Sequence, residues 1–582
     1  MSRRPDSDGL GERLSRRPLL QGAAGLAAAL AGCSMTDGRI TDRVVDSTPA
    51  LRTAFERLSP GDTIHISAAG GPYRTSDWLD VDVDDVAVVG PGIPGLVRPA
   101  RGADAGGIRI GHHSHCENVL VRGFGFEGNR AAQRPRAPRC HGIAVRDADG
   151  VTLAGNDIRG THPRRHGDGG SGISVTPGCD AVRVVGNRIR DAGDRGIQVA
   201  GSGLLVAGND IRGSLDRAIS ADLWYPDGEN HTARHALVTG NVLGDSAEGS
   251  LTGVAHNEPV GPGRGHIAFV GNVGYGAHKS FCHVRGPEPF ASVAVRNNLA
   301  TQETAGLTTD RTTRFAGVAA DAVGGDTLVV RNNTFRGYSG PGVNIDGAVR
   351  EAVVAGNALV EPARAGVRVR QVDGGTVTGN VVVEPGTVGI RLVDAGGLRV
   401  GENQIRAPAG PGIDVRGGPD TAGTDIVGNH LRDTGGGDRG GDGGRVSRGA
   451  PAIRVCDHGV RVRGNSIHRN RGPGIIECAD GGDNRYEANR ADGEAPWRIT
   501  SPTSRARDNA PPLDVHRGLR AEGGLLSVTF DRVYARAPRL SFGRRGGAVR
   551  EVSYRTSEAG NVVGADIVVG ADGTFDVFVD AA

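Results

Sequence analysis

Six of the 17 histidines lie between residues 231 and 283: His231, His235, His256, His266, His278 and His283. The chain's one lysine, Lys279, stands among them, against 67 arginines. Just upstream runs Asp222-Leu223-Trp224-Tyr225-Pro226-Asp227-Gly228-Glu229-Asn230-His231. Histidine exchanges protons near neutral pH, and lysine does so once its ammonium is desolvated. These types offer acid–base chemistry by Lys279, His283, His256 and Asp222, with Trp224 and Tyr225 as flat surfaces for a bound molecule. Hydrolysis of a glycosidic bond would instead need two facing carboxylates. Asp222 with Asp227 or Glu229 is the pair this stretch offers. The competing reading makes Lys279 a solvated surface residue and each histidine a side chain bonded within its own turn.

These residues sit where a repeat is broken. Gly172 to Asn187 shows the unit: Gly-Ile-x-Val, a short polar turn, then Val-x-Val-x-Gly-Asn. The closing position is held by Asn156, Asn187, Asn209, Asn241, Asn272, Asn298, Asn333, Asn357, Asn380, Asn403, Asn429 and Asn465, with Phe124 in the slot one rung earlier. The first strand is marked by Ile143, Ile173, Ile197, Ile219, Val318, Val343, Val367, Ile390, Ile413, Ile453 and Ile475. The tightest Asn spacings are 22, 24, 23 and 23 residues, and longer ones imply inserted loops. Period 2 within a strand aims these side chains at one face, and a period near 23 stacks like on like at about 4.8 Å per rung. The Asn residues then form a ladder at a turn, where amides bond rung to rung and asparagine tolerates left-handed backbone.

A leucine-rich solenoid would need Leu-x-x-Leu-x-Leu, which is absent, and aromatic residues at 4 % do not fit a propeller. Glycine, 96 of 582 residues, has no three-residue period, which excludes collagen. The fold class expected is all-β: a right-handed parallel β-helix with an N-terminal α-helical cap and a small C-terminal antiparallel β-domain. The handedness follows only from the general preference of parallel crossovers. A net charge of +2 points to no bulk partner, and no nucleic acid is expected.

The ends add compartment and boundaries. Ser15-Arg16-Arg17-Pro18-Leu19-Leu20 carries a twin-arginine pattern, and an apolar run follows from Gly22 to Ala31. Leu30-Ala31-Gly32-Cys33 reads as a lipobox with Cys33 the lipidated residue. The expected product is exported and lipid-anchored at the outer face of the cell membrane, touching the membrane through that anchor only. The division expected is a signal over 1–33, a tether over 34–47, the β-helix over 48–495, a linker over 496–512 and a β-domain over 513–582. Thr48 can cap the first helix, with Pro49 at its first position and Leu51, Ala54, Phe55 and Leu58 on one face.

Cysteines test the register. Cys456 and Cys478 each follow their column isoleucine, Ile453 or Ile475, by three residues, so they stack one rung apart, within disulfide reach. Cys116 and Cys179 share a position with one rung between them, about 10 Å, and stay unbridged.

Over residues 48–495 the cap, the rungs and the export signal resemble the broad β-helix superfamily of pectate lyases, polygalacturonases, alginate and chondroitin lyases and mannuronan epimerases. The chain is also similar to twin-arginine-exported repeat proteins with no assigned activity. The resemblance implies an extended polysaccharide partner, of acidic character. In a lyase or C5-epimerase, a base removes the proton α to a uronate carboxylate while a cation neutralises that carboxylate. Chondroitinase B-like lyases use a Lys base, an Arg partner and an Asn/Glu calcium cluster. Lys279 and His256-Asn257-Glu258 are the matching residues, so Asn257 and Glu258 become candidate calcium ligands; a second acidic ligand and a clearly placed Arg are missing, Arg285 being the nearest candidate. The polygalacturonase-like Gly-Asp-Asp is absent, although Asn344-Ile345-Asp346 fits its companion pattern on a regular rung. His162 to Asp168 forms a second polar loop.

Outward positions of the first strand are Ser174, Gln198, Ser220, Asn344, Arg368, Arg391, Asp414 and Arg454. Arg368 and Arg391 should stack directly, which is unfavourable unless an anion crosses them or they splay into water. An acidic glycan is one such anion. Two classes of function remain open: a lyase or epimerase, and a non-catalytic glycan-binding or structural surface protein.

Overall fold

The computed structural model describes residues 42–580 except 223–234, 247–248, 255–264, 277–278, 286–289, 304–314, 322–324, 418–422, 437–448, 493–495, 510–513, 522–524, 535, 544–548 and 570–573. Its body is one long parallel sheet wound into a coil, and the chain folds as a right-handed parallel β-helix. Three strand columns run along it. The first column stacks Ile143, Ile173, Ile197 and Ile219 in register, and later Val318, Val343, Val367, Ile390, Ile413, Ile453 and Ile475. Leu251 and Cys282 fill the same position in the two rungs between. All of these side chains are buried, so the bore is filled with branched apolar groups.

The asparagine ladder runs from Asn156 to Asn509. Each amide Nδ2 donates to Oδ1 of the next Asn at 2.8–3.1 Å. Each of these amides from Asn156 to Asn489 donates also to a backbone carbonyl of the preceding rung, as Asn380 does to Val354 at 2.9 Å. The ladder is completely buried and satisfies its amides internally, as burial demands. Phe124 takes the slot before Asn156 and donates its backbone N–H to it. One detail differs from expectation. The left-handed residue is the one before the ladder Asn, Gly186 at φ 64°, for example, or Asn297, Asn332 and Glu402 where glycine is absent.

Both ends of the coil extend beyond their expected limits. Asp42–Val45, placed in the tether, pairs in parallel with Thr63–Ile66 and buries Val45. The helix spans Thr48–Glu56 and buries Leu51, Ala54 and Phe55. Its cap is Ser47, whose oxygen accepts from Ala50, and not Thr48, whose hydroxyl accepts from the Arg74 backbone. At the other end Trp497–Arg498 and Arg505–Arg507, placed in the linker, pair with the preceding rungs. Asn489 and Asn509 carry the ladder with them. These short rungs lack the Gly-Ile mark, which is why the pattern hides them.

Past the coil, two three-stranded antiparallel sheets follow, one of Asp514–Arg520, Thr574–Asp580 and Arg539–Gly543, the other of Leu525–Tyr534, Val562–Val569 and Val549–Thr556. Cys456 and Cys478 are disulfide-bonded with Cα atoms 4.7 Å apart. Cys116, Cys140, Cys179 and Cys282 are free and buried.

Candidate functional site

In the first column the residue after each column Ile or Val faces outward, and so does the one two further on. Two outward rows result. One runs His283, Ala319, Asn344, Arg368, Arg391, Asp414, Arg454 in unbroken register. The other runs Asp321, Asp346, Arg370, Val393, Arg416, Cys456, with the backbone of Arg285 in register before Asp321.

The rows join into a polar ribbon. His283 Nε2 lies 3.2 Å from Asp321 Oδ2. Asn344 Nδ2 donates to the other Asp321 oxygen at 3.3 Å. Arg368 Nη1 donates to Asn344 Oδ1 at 2.9 Å and to Asp346 Oδ2 at 3.1 Å, and Arg370 reaches Asp346 Oδ1 at 3.5 Å. An ionised Asp321 only accepts, so the His283 Nε2 donates, and in the neutral ring Nδ1 then carries the lone pair. The His283 side chain is 14 % exposed and Asp321 23 %, enough for a ligand to reach them and too little for bulk water to dominate.

Asp321 and Asp346 are direct register partners on adjacent rungs. The sequence offers paired carboxylates around Asp222 and places Asn344-Ile345-Asp346 on a regular rung. The signal was available: Asp321 and Asp346 follow Val318 and Val343 by three residues, the same offset that aligns Cys456 with Cys478.

Arg368 and Arg391 are register partners as expected, but neither needs an outside anion or open water to separate them. Arg368 turns back to Asp346 and Asn344, while Arg391 turns forward to Asp414 at 3.2 Å. Carboxylates of the chain itself resolve the repulsion. Asp414 is fully buried, and burial alone would raise its pKa; bonds and charge from Arg454, then Arg416 and Arg391, hold it below the usual carboxylate range.

The other expected residues divide as follows. Lys279 lies in the bend just before the strand Ser280–Arg285, four residues ahead of His283, and its carbonyl accepts from Gln302 Nε2 at 2.9 Å. Asp222 and Arg285 are placed by backbone register alone, Asp222 between Ala200 and Val254, Arg285 opposite Asp321. Trp224, Tyr225, His256, Asn257, Glu258 and Cys33 lie outside the described residues. His235 and His266 stack on each other, ring centroids 5.3 Å apart, on the second column and not beside His283. In the loop of His162 to Asp168, Asp168 pairs with Arg139 and His162 Nε2 meets the Arg134 carbonyl. Among the described residues no three His, Cys, Asp or Glu side chains are grouped to hold a metal ion.

Comparison with known proteins gives one family match: residues 316–491 fit the family described as right handed beta helix region. That stretch carries the ribbon from Asp321 to Arg454. No curated protein matches the sequence. Solved structures similar to the chain include the A-module of a mannuronan C-5 epimerase from Azotobacter vinelandii, at 13 % identity, 81 % of this chain, 97 % of that one and TM-score 0.24. Another is a tailspike protein of E. coli bacteriophage HK620 in complex with a pentasaccharide, at 12 % identity, 92 % and 90 % coverage and TM-score 0.34. A third is PfbA, a surface adhesin of Streptococcus pneumoniae, at 12 % identity, 67 % and 86 % coverage and TM-score 0.35.

Proposed function

We propose that this protein binds an extended acidic polysaccharide along the outward ribbon from His283 to Arg454 and acts on it at the His283–Asp321 end. The observation that carries the reading is the ribbon itself. It repeats a polar step at each rung, about 4.8 Å, which suits a polymer laid along the coil axis. Its half-buried arginines 368, 370, 391, 416 and 454 outnumber aspartates 321, 346 and 414, so it favours an anionic chain.

The finer reading is proton abstraction from a uronate, leading to β-elimination in a lyase or to reprotonation from the other face in a C5-epimerase. His283 Nδ1 is the base, held in that tautomer by Asp321. Arg285, two residues along the strand, is the candidate to neutralise the substrate carboxylate. A second reading has its own support in the Asp321–Asp346 register. Strand spacing sets their Cα atoms about 5 Å apart, so two carboxylates face one stretch of the ribbon, the arrangement a glycoside hydrolase needs. With the export pattern and Cys33, the setting proposed is the outer face of the cell membrane.

The test is incubation with a panel of uronate polymers, following both the absorbance of unsaturated products and new reducing ends. Elimination raises both, hydrolysis raises reducing ends alone, and epimerisation changes only the C5 signals by NMR. Binding without any of these leaves the protein a glycan-binding surface protein. No binding to any acidic polymer would overturn the proposal.

A further inference from the structure

We infer that Arg391, Arg416 and Arg454 form an oxyanion-binding subsite that takes a carboxylate or sulfate group of the bound polymer. The three guanidinium groups converge on one carboxylate. Arg391 Nε, Arg416 Nε and Arg454 Nη2 all donate to Asp414 Oδ2, at 3.2, 3.0 and 2.9 Å, and Arg454 Nε donates to Oδ1 at 2.7 Å. Among the described residues Asp414 is the one carboxylate within ion-pair distance of any of the three. Three positive charges against one negative leave a net charge of two positives in a half-exposed patch.

The donors are also in excess. Each guanidinium carries five N–H groups in a planar fork. Arg391 and Arg416 each spend only Nε on Asp414, which leaves their outer Nη edges for another partner. Such an edge matches a carboxylate or sulfate by two parallel bonds. Burial lowers the pKa of Arg391, and like charge from Arg416 and Arg454 adds to this against the pull of Asp414, so an incoming anion offsets repulsion as well as forming bonds.

The patch is rigid. Asp414 is fully buried and fixes one edge of each arginine. The Cys456–Cys478 disulfide ties the rung of Arg454 to the next, two residues beyond that arginine. Pre-positioned donors lose little conformational freedom on binding.

That the anion belongs to a polymer rests on the function proposed above; the anion site itself does not. It is tested with inorganic sulfate, by calorimetric titration of the whole chain at constant ionic strength. Wild type should bind one sulfate. Arg416→Gln should weaken it about tenfold or more, because one charged bidentate contact is lost. Arg416→Lys, which keeps the charge without the fork, should fall between them. Arg416 is the most exposed of the three, and Arg391 and Arg454 still hold Asp414 in both variants. Arg485→Gln, at an exposed position of another column, should titrate like wild type. Sulfate binding that is absent from wild type, or equal in wild type and both Arg416 variants, would overturn the site. If sulfate binding falls in Arg416→Gln while acidic polymer binding does not, the anion site stands and the polymer reading fails.

Discussion

Two ladders climb this coil, and they behave in opposite ways. The inner one repeats a single residue, asparagine, from Asn156 to Asn509, with the same bond at every step. The outer one changes at each rung: His283, Ala319, Asn344, Arg368, Arg391, Asp414, Arg454. Both are built on the same register, so the difference lies in what each position meets. A buried amide between two rungs has one low-energy solution, and every rung adopts it. An outward position can meet that demand in many ways: Asn344 and Asp414 are buried too, yet their partners are the varied side chains around them, and that variation is where chemistry can be written.

The contrast breaks most visibly if the inner ladder is cut. Asn380→Ala removes the acceptor of Asn357 N–H and Nδ2 and the donor to Val354 and Asn403. The buried groups left behind should cost about 3–6 kcal/mol of unfolding free energy. Urea titration checks this; a loss below about 1 kcal/mol would mean the ladder is decorative. The disulfide comes next. Replacing Cys456 and Cys478 together by serine opens a loop of sequence separation 22. That should cost about 3 kcal/mol, read by the same titration with and without reductant.

Outer-ladder changes should do the reverse, altering activity more than stability. His283→Ala should lower uronate turnover by about 10²–10⁴-fold while changing stability by less than about 1 kcal/mol. Lys279→Ala should leave turnover within about threefold, since the group held by Asp321 is His283 and Lys279 lies in the bend ahead of that strand. Equal losses in the two variants would restore Lys279 as the base and dissolve the His283–Asp321 assignment.

A smaller effect concerns pH. The His141 Nδ1 accepts the Ser171 backbone N–H at 2.9 Å, which requires a neutral ring, and burial pushes its pKa down to about 3. The folded value lies below the unfolded one, so the unfolded chain binds the proton first. Stability should therefore decline as pH falls from about 6.5 toward about 3, and His141→Gln should flatten that decline. Thermal unfolding across this window measures it.

The period made most of the fold legible. Like residues at a common offset, Ile453 and Ile475 or Cys456 and Cys478, can only stack. What escaped were places without a repeating mark: the strand Asp42–Val45, the cap at Ser47 and the last rungs to Arg507. The site was partly legible. His283, Arg368 and Arg391 are identifiable in the sequence as polar residues, but broken repeats, as over 222–283, are the more conspicuous signal. The described ribbon instead lies mostly on intact rungs, where Asp321 and Asp346 meet because regular register brings equal offsets together. How Arg368 and Arg391 avoid each other depends on side-chain direction, which spacing does not contain.

The central claim is that an acidic polymer lies along the outer ladder. The direct measurement is a titration of uronate oligosaccharides of increasing length against wild type and Arg368→Ala. From His283 to Arg454 is six rung steps, about 29 Å. Affinity should rise with length until the oligosaccharide spans that distance and then level off, with Arg368→Ala weaker at every length that crosses it. Affinity that ignores both length and Arg368 would contradict the claim.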